Sequence, residues 1–223
     1  LDGLPAFMDT SKSPYLQPLH VNSAVVKLAE TEPGLSLRLG KYAQQQRSDG
    51  LALSQLELDN TGLISQDNLT HQGYYFDFEI HDIQPFGSSA HIVLPLAQAI
   101  PEYGVYRKFN QTNGWADFKE DSKNTIASSE TINGVCPPPH HELYQSGLNA
   151  GHLCLRLFIE DGGVNDNDGV ANGVVVDPGG IGIVANSTIA KETTPEKSSS
   201  GSLSWVFILW LAGHVLLRKK YRK

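Results

Sequence analysis

The motif strings that mark the common catalytic folds are missing from this chain. It holds no GxSxG, no HExxH, no GxxxxGK[ST] and no GxGxxG following a strand, which removes the sequence grounds for a serine-hydrolase elbow, a zincin, a P-loop nucleotidase and a dinucleotide-binding turn. Cysteine is almost as scarce. Of 223 residues only Cys136 and Cys154 carry a thiol, and neither belongs to a CxxC. In an oxidising compartment the two are expected to pair, and closing a loop of that size contributes about 3 kcal/mol in the chain-entropy model. A metal-binding or catalytic thiol is the competing reading, because His140 and His141 follow the extended run Pro137, Pro138, Pro139. Adjacent histidines without metal-ligand spacing favour the disulfide.

Basic residues are also in deficit. The net charge is −7, and five of the 17 Lys and Arg residues lie in the last six positions, which leaves twelve basic against 24 acidic residues upstream. So acidic a body argues against a nucleic-acid partner. Long hydrophobic runs are absent, with one exception at the end of the chain. Residues 203–217 are apolar apart from Ser204 and His214, and they are followed at once by Arg218, Lys219, Lys220, Tyr221, Arg222 and Lys223. Fifteen residues at a helical rise span roughly 22 Å, short of the roughly 30 Å hydrocarbon core, so the span is marginal. A basic cluster after the run keeps that end in the cytoplasm, which places the upstream chain on the far side of a membrane, in the cell envelope. A buried helix of a soluble domain is the alternative. The chain opens at Leu1 without an initiator Met, a basic n-region or an apolar h-region, so it is expected to be the C-terminal piece of a longer exported protein.

What the chain does have is alternation. Tyr74, Phe76, Phe78 and Ile80 alternate with Tyr75, Asp77 and Glu79, and Leu153, Leu155, Leu157 and Ile159 alternate with His152, Cys154, Arg156 and Phe158. Period 2 predicts two-faced strands. Further strands are expected over 35–39, 51–58, 91–94, 105–109 and 174–176, between clusters of Gly, Pro, Asn and Asp. Residues 21–30 fit a short helix or a strand equally. Seven or so short strands predict an all-β fold, an antiparallel β-sandwich over residues 16–184. Residues 185–202 turn to Ser, Thr, Lys and Glu, which predicts a flexible linker with a protease-accessible stretch at Ser200, Gly201 and Ser202 ahead of a transmembrane helix over 203–217 and a basic cytoplasmic tail over 218–223. Trp115 and the Tyr74/Tyr75 pair are expected in the core, and Glu120 with Asp121 on a solvated surface.

Two acidic turns offer oxygen ligands. Asp2, Gly3 and Asp9 fit the back half of a calcium loop within residues 1–15. The second turn runs from Asp161 to Gly173, with Asp166, Asp168 and Asn172 as ligand candidates, and Ca²⁺ is the ion such oxygens and glycines would take. The position where an EF-hand sets its closing Glu is Val175, so this is not that loop. A hairpin turn of Asn, Asp and Gly without metal is the other reading.

The stretch from Tyr74 to Gly180 resembles the choice-of-anchor U domain of bacterial surface proteins. The residues that carry the likeness are 76–80, then Val105, Tyr106, Arg107, Lys108 and Phe109, then Gly114, Trp115, Cys136, Pro137 and Pro138. The strongest string runs from Ile159 through Asp161, Gly162, Gly163, Asn165, Asp166, Asp168, Gly169, Asn172 and Gly173 to Asp177, Pro178, Gly179 and Gly180. The start of the chain looks like the end of a thrombospondin type 3 calcium repeat. The tail is similar to a GlyGly-type sorting signal, which in that family is cut by a rhomboid-like intramembrane protease (rhombosortase); here only Gly201 is present, between Ser200 and Ser202. The resemblance implies surface display without catalysis, with the membrane and a sorting protease as partners. An accessory domain of an exported hydrolase whose catalytic part lies upstream is the alternative. A eukaryotic glycolipid-anchored protein, with sequons at Asn68, Asn110 and Asn186, is disfavoured by the basic end.

Overall fold

A computed structural model of the chain describes residues 13–20, 27–46, 48–61 and 67–184. The chain divides into two units, Leu1–Ala185 and Asn186–Lys223. The second unit lies wholly outside the described residues, and so do the expected linker, apolar segment and basic tail with Ser200, Gly201 and Ser202. Asp2 and Asp9 lie outside them as well. Among the described residues no helix is long and apolar enough to cross a membrane.

The first unit is mostly β. Its elements in chain order are β1 (Leu16–Pro18), β2 (Leu28–Thr31), β3 (Ser36–Leu39), α1 (Lys41–Gln46), β4 (Ala52–Leu53), α2 (Gln55–Asn60), β5 (Thr70–His81), β6 (Ser89–Pro95) and β7 (Gly104–Asn110). They continue with β8 (Gly114–Asp117), β9 (Thr125–Ser129), β10 (Gln145–Ser146), β11 (Cys154–Glu160) and β12 (Val175–Ile183). Two antiparallel sheets result. One has the order β1-β2-β6-β11-β9-β10, and the other β3-β5-β12-β7-β8, with β4 also paired to β5.

Alternation explains how the sheets meet. Phe76, Phe78 and Ile80 of β5 and Ile92, Leu94, Leu155, Leu157 and Ile159 of β6 and β11 share one core, and all are at most 2% exposed. Each fully buried aliphatic or aromatic side chain there contributes about 1.5–3 kcal/mol by leaving water. The arrangement is sandwich-like: each sheet gives one apolar face to the common core.

The opposite face of β5 is also covered. Tyr75 packs with Tyr42 and Ala43 of α1, Leu53, Leu58 of α2 and Phe109 in a second cluster, with Trp115 against it. Tyr74 lies against the main core. The aromatics expected inside are thus packed. Asp77, between Phe76 and Phe78, faces this covered side and accepts the Ala43 N–H at the start of α1 at 2.7 Å. Gly40 makes that approach possible, because a Cβ there would lie 2.2 Å from the Asp77 carboxylate.

One expected strand is corrected. Residues 51–58 do not form a single strand: β4 ends at Leu53 and α2 begins after Ser54. Ser54 and Glu57 form a reciprocal capping box, with the Ser54 N–H bonded to Glu57 at 2.8 Å. This pairing satisfies two backbone donors that a helix start otherwise leaves open, and it turns the apolar spacing of Leu56 and Leu58 into a helix, with Leu56 exposed. The open segment 21–30 resolves only in part, since Leu28–Thr31 is strand and residues 21–26 are not described.

Candidate functional site

The acidic turn between β11 and β12 is knit by backbone N–H groups, most of them its own and one from the β5–β6 loop. Asp161, 1% exposed, accepts the N–H groups of Gly87, Asn172 and Gly173 at 2.9, 3.0 and 2.9 Å. Asp166 accepts from Gly162 N–H at 2.8 Å and Val176 N–H at 2.9 Å. Burial raises its carboxyl pKa to about 6. Asp168 accepts from Val170 N–H and from the Asn172 amide, and the Asn172 carbonyl accepts from Val174 N–H. The structure therefore brings Asp161, Asp166, Asp168 and Asn172 into one turn, where their oxygens receive amide protons. The geometry has a structural logic. β12 pairs with β7 only from Gly179 onward, and before that point Val176 bonds through its N–H to Asp166 and through its C=O to the Asn167 N–H at 2.9 Å. A carboxylate and a loop amide stand where a strand partner would. Pro178 falls on the same side two residues later, where the missing N–H leaves no donor unmet.

A buried charge pair lies just beyond. Asp177 shares its register with Phe78, and Lys108 with Gly179, so both point to the core side of their sheet. The Lys108 ammonium is 2.9 Å from Asp177, and the Tyr106 hydroxyl donates to Asp177 at 3.4 Å. Burial pushes the Asp177 pKa up and the Lys108 pKa down, each opposed by the other's charge.

On the opposite side of that sheet, Arg107 holds Asp67 through two nitrogens at 2.8 and 2.7 Å and also pairs with Asp117. Asp67 in turn meets His71 at 2.7 Å. Burial would raise the Asp67 pKa, but the hydrogen bonds from Arg107 and His71 outweigh it and the pKa falls. Burial lowers the His71 pKa. The His71 ring stacks on Tyr75 at 4.5 Å and tilts against Trp115 at 4.7 Å, and its side chain is only 3% exposed, so this network reads as packed structure.

The outer face of the first sheet carries a different constellation. Cys136 and Cys154 form a disulfide, so the thiol-ligand reading is withdrawn. The bond fastens the loop 130–144 over β11 beside Val93, Ala127 and Tyr144. Two more anchors act within three residues. The Tyr144 hydroxyl donates to the Pro137 carbonyl at 2.7 Å, and Arg156 donates to the Pro139 carbonyl at 2.9 Å while lying over the Tyr144 ring. The loop thereby sets His140 beside His91 of β6 and Glu32 just past β2. His91 Nδ1 is 2.7 Å from Glu32 Oε1, and His140 Nε2 is 3.4 Å from the same oxygen. Among the described residues these three are the one group of His, Cys, Asp or Glu whose ligand atoms all fall within 4.8 Å of one another. Sequence reasoning weighed His140 and missed Glu32 and His91, which are 59 positions apart and meet only through the β2–β6 pairing. Glu120 and Asp121, expected on the surface, are exposed.

No family model matches this chain, and no curated protein or solved structure matches it.

Proposed function

We propose that this chain is a non-catalytic module displayed outside the cytoplasm of a bacterium, a sandwich-like ectodomain tethered or sorted by residues 203–223. The observation that carries the reading is the Cys136–Cys154 disulfide, a cross-link that persists in oxidising compartments and is rare in the cytosol. The acidic composition, the apolar run with its basic flank and the resemblance to choice-of-anchor U domains support it. So does the use of the conspicuous acidic turn as internal scaffolding. Ca²⁺ at Asp161, Asp166, Asp168 and Asn172 belongs to the same reading, and it would have to share oxygens that already accept N–H groups.

The test is expression behind an export signal in a Gram-negative host, with fractionation and intact-mass spectrometry. A disulfide-bonded chain in the envelope is expected. Cut near Gly201 it is a sorted surface protein, and whole to Lys223 it is a single-span protein. Recovery in the cytoplasm with both thiols reduced overturns the proposal. For calcium, a melting temperature unchanged by a chelator removes the ion.

A further inference from the structure

We propose that Glu32, His91 and His140 form a Zn²⁺ site on the outer face of the first sheet. The donor set is two imidazoles and one carboxylate. Imidazole nitrogen selects transition ions over Ca²⁺ and Mg²⁺, which prefer all-oxygen shells. Two histidines and a glutamate are also a recurrent zinc set when one position is left for water.

The distances suit such an ion. Zinc–nitrogen and zinc–oxygen bonds of about 2.0–2.1 Å in a tetrahedron place donors about 3.3 Å apart. Here the Glu32 oxygen stands 3.4 Å from His140 Nε2 and 2.7 Å from His91 Nδ1, and all three donors lie within 4.8 Å of one another. Admitting the ion requires opening the His91–Glu32 hydrogen bond by about half an ångström and moving the Nδ1 proton of His91 to Nε2 of the same ring or to solvent, since only an unprotonated imidazole nitrogen coordinates.

The support around the donors is independent of the donors themselves. The His91 ring is stacked on Phe158 at 4.2 Å, and its carbonyl accepts the Thr31 hydroxyl at 2.7 Å. His140 stands on a loop held by the disulfide, by Tyr144 on Pro137 and by Arg156 on Pro139. A ligand whose backbone is fixed loses less entropy on coordination. The neighbouring His141 is not part of the set: its Nδ1 accepts the Leu143 N–H of its own turn. With the His140 side chain 68% exposed, the remaining coordination position opens to solvent, so the ion would carry a water.

The experiment uses the whole 223-residue chain in mild detergent. Zinc is titrated calorimetrically and Co²⁺ by its visible spectrum, on the wild type and on His140→Ala, Glu32→Gln and His141→Ala. His140 is exposed, so its truncation leaves the fold intact, and circular dichroism verifies this. The expected result is one equivalent of Zn²⁺, a tetrahedral Co²⁺ spectrum, affinity weakened by about tenfold or more in His140→Ala and in Glu32→Gln, and no change in His141→Ala. The inference is overturned by an absence of saturable binding, by binding that survives undiminished in both ligand variants, or by displacement of zinc by a modest excess of Ca²⁺.

Discussion

Lys108 and Asp177 are joined at 2.9 Å on the core side of the second sheet, where both side chains are at least nine-tenths removed from solvent. Such a pair is weak evidence for stability, because desolvation of both ions offsets their attraction. Removal of one partner, however, leaves a bare buried charge. Lys108→Met is therefore expected to lower the unfolding free energy by about 3–5 kcal/mol in urea titrations. The double variant Lys108→Met, Asp177→Leu should recover most of that loss. If the single and double variants lose equally, the charge pairing is not what holds this position.

Asp77 makes a pH prediction. Its carboxyl pKa is raised from 3.8 to about 6 by burial against α1, an effect that its backbone hydrogen bonds from Ala43 and Tyr42 only partly oppose. The folded state thus binds more protons than the unfolded state between those two values. This group's contribution is most favourable below about pH 4 and is lost as pH rises through about 6, a change of about 3 kcal/mol. Asp77→Asn removes the dependence. The stability of the variant relative to wild type should move in the variant's favour by that amount across the window and stay level on either side. Denaturant titrations from pH 3.5 to 7.5 measure it, and a pH-independent difference contradicts the burial.

Asp161 gathers three backbone N–H groups from two loops. Asp161→Ala leaves those donors unmet in a buried place and is expected to cost about 3 kcal/mol or more, since hydrogen bonds to a charged group are worth about 1.5–3 kcal/mol each. Most of the loss should persist in chelator, because the amide bonds are broken with or without an ion. Thermal melts in both conditions decide this, and a loss confined to calcium-containing buffer assigns the carboxylate to metal instead.

Replacement of both cysteines by serine opens the loop between Cys136 and Cys154, 18 positions long. About 3 kcal/mol of stability should go with it. The local effect is more telling: amide exchange across residues 137–144 should quicken far more than in β11. Equal protection in both forms would show that Tyr144 and Arg156 hold the loop unaided.

The sheets were legible where one face is apolar and the other is not, as in β5 and β11. The Cys136–Cys154 pairing was legible because few cysteines leave few choices. β9 was not, since Thr125, Ser128 and Ser129 are polar yet Ser128 and Ser129 are buried, their place set by neighbours β11 and β10 on either side. The Ser54/Glu57 capping box was present in the sequence, but the leucine alternation around it spoke for a strand. The site residues followed the same division. The density of oxygens around Asp161 was visible, but which oxygens meet amides is fixed by three-dimensional approach. Glu32 and His91 are isolated polar residues until two strands place them together.

β12 stands in the middle of the second sheet, between β5 and β7. Until it arrives, that sheet is two unconnected fragments, β3 with β5 on one side and β7 with β8 on the other. A chain synthesised or threaded through a membrane from its N-terminus can assemble the first sheet early, because its last strand is β11. It cannot close the second until residue 183 is free. Completion of the domain is thereby tied to emergence of nearly all of it, so a chain interrupted before Val175 is left with two unfinished sheet edges.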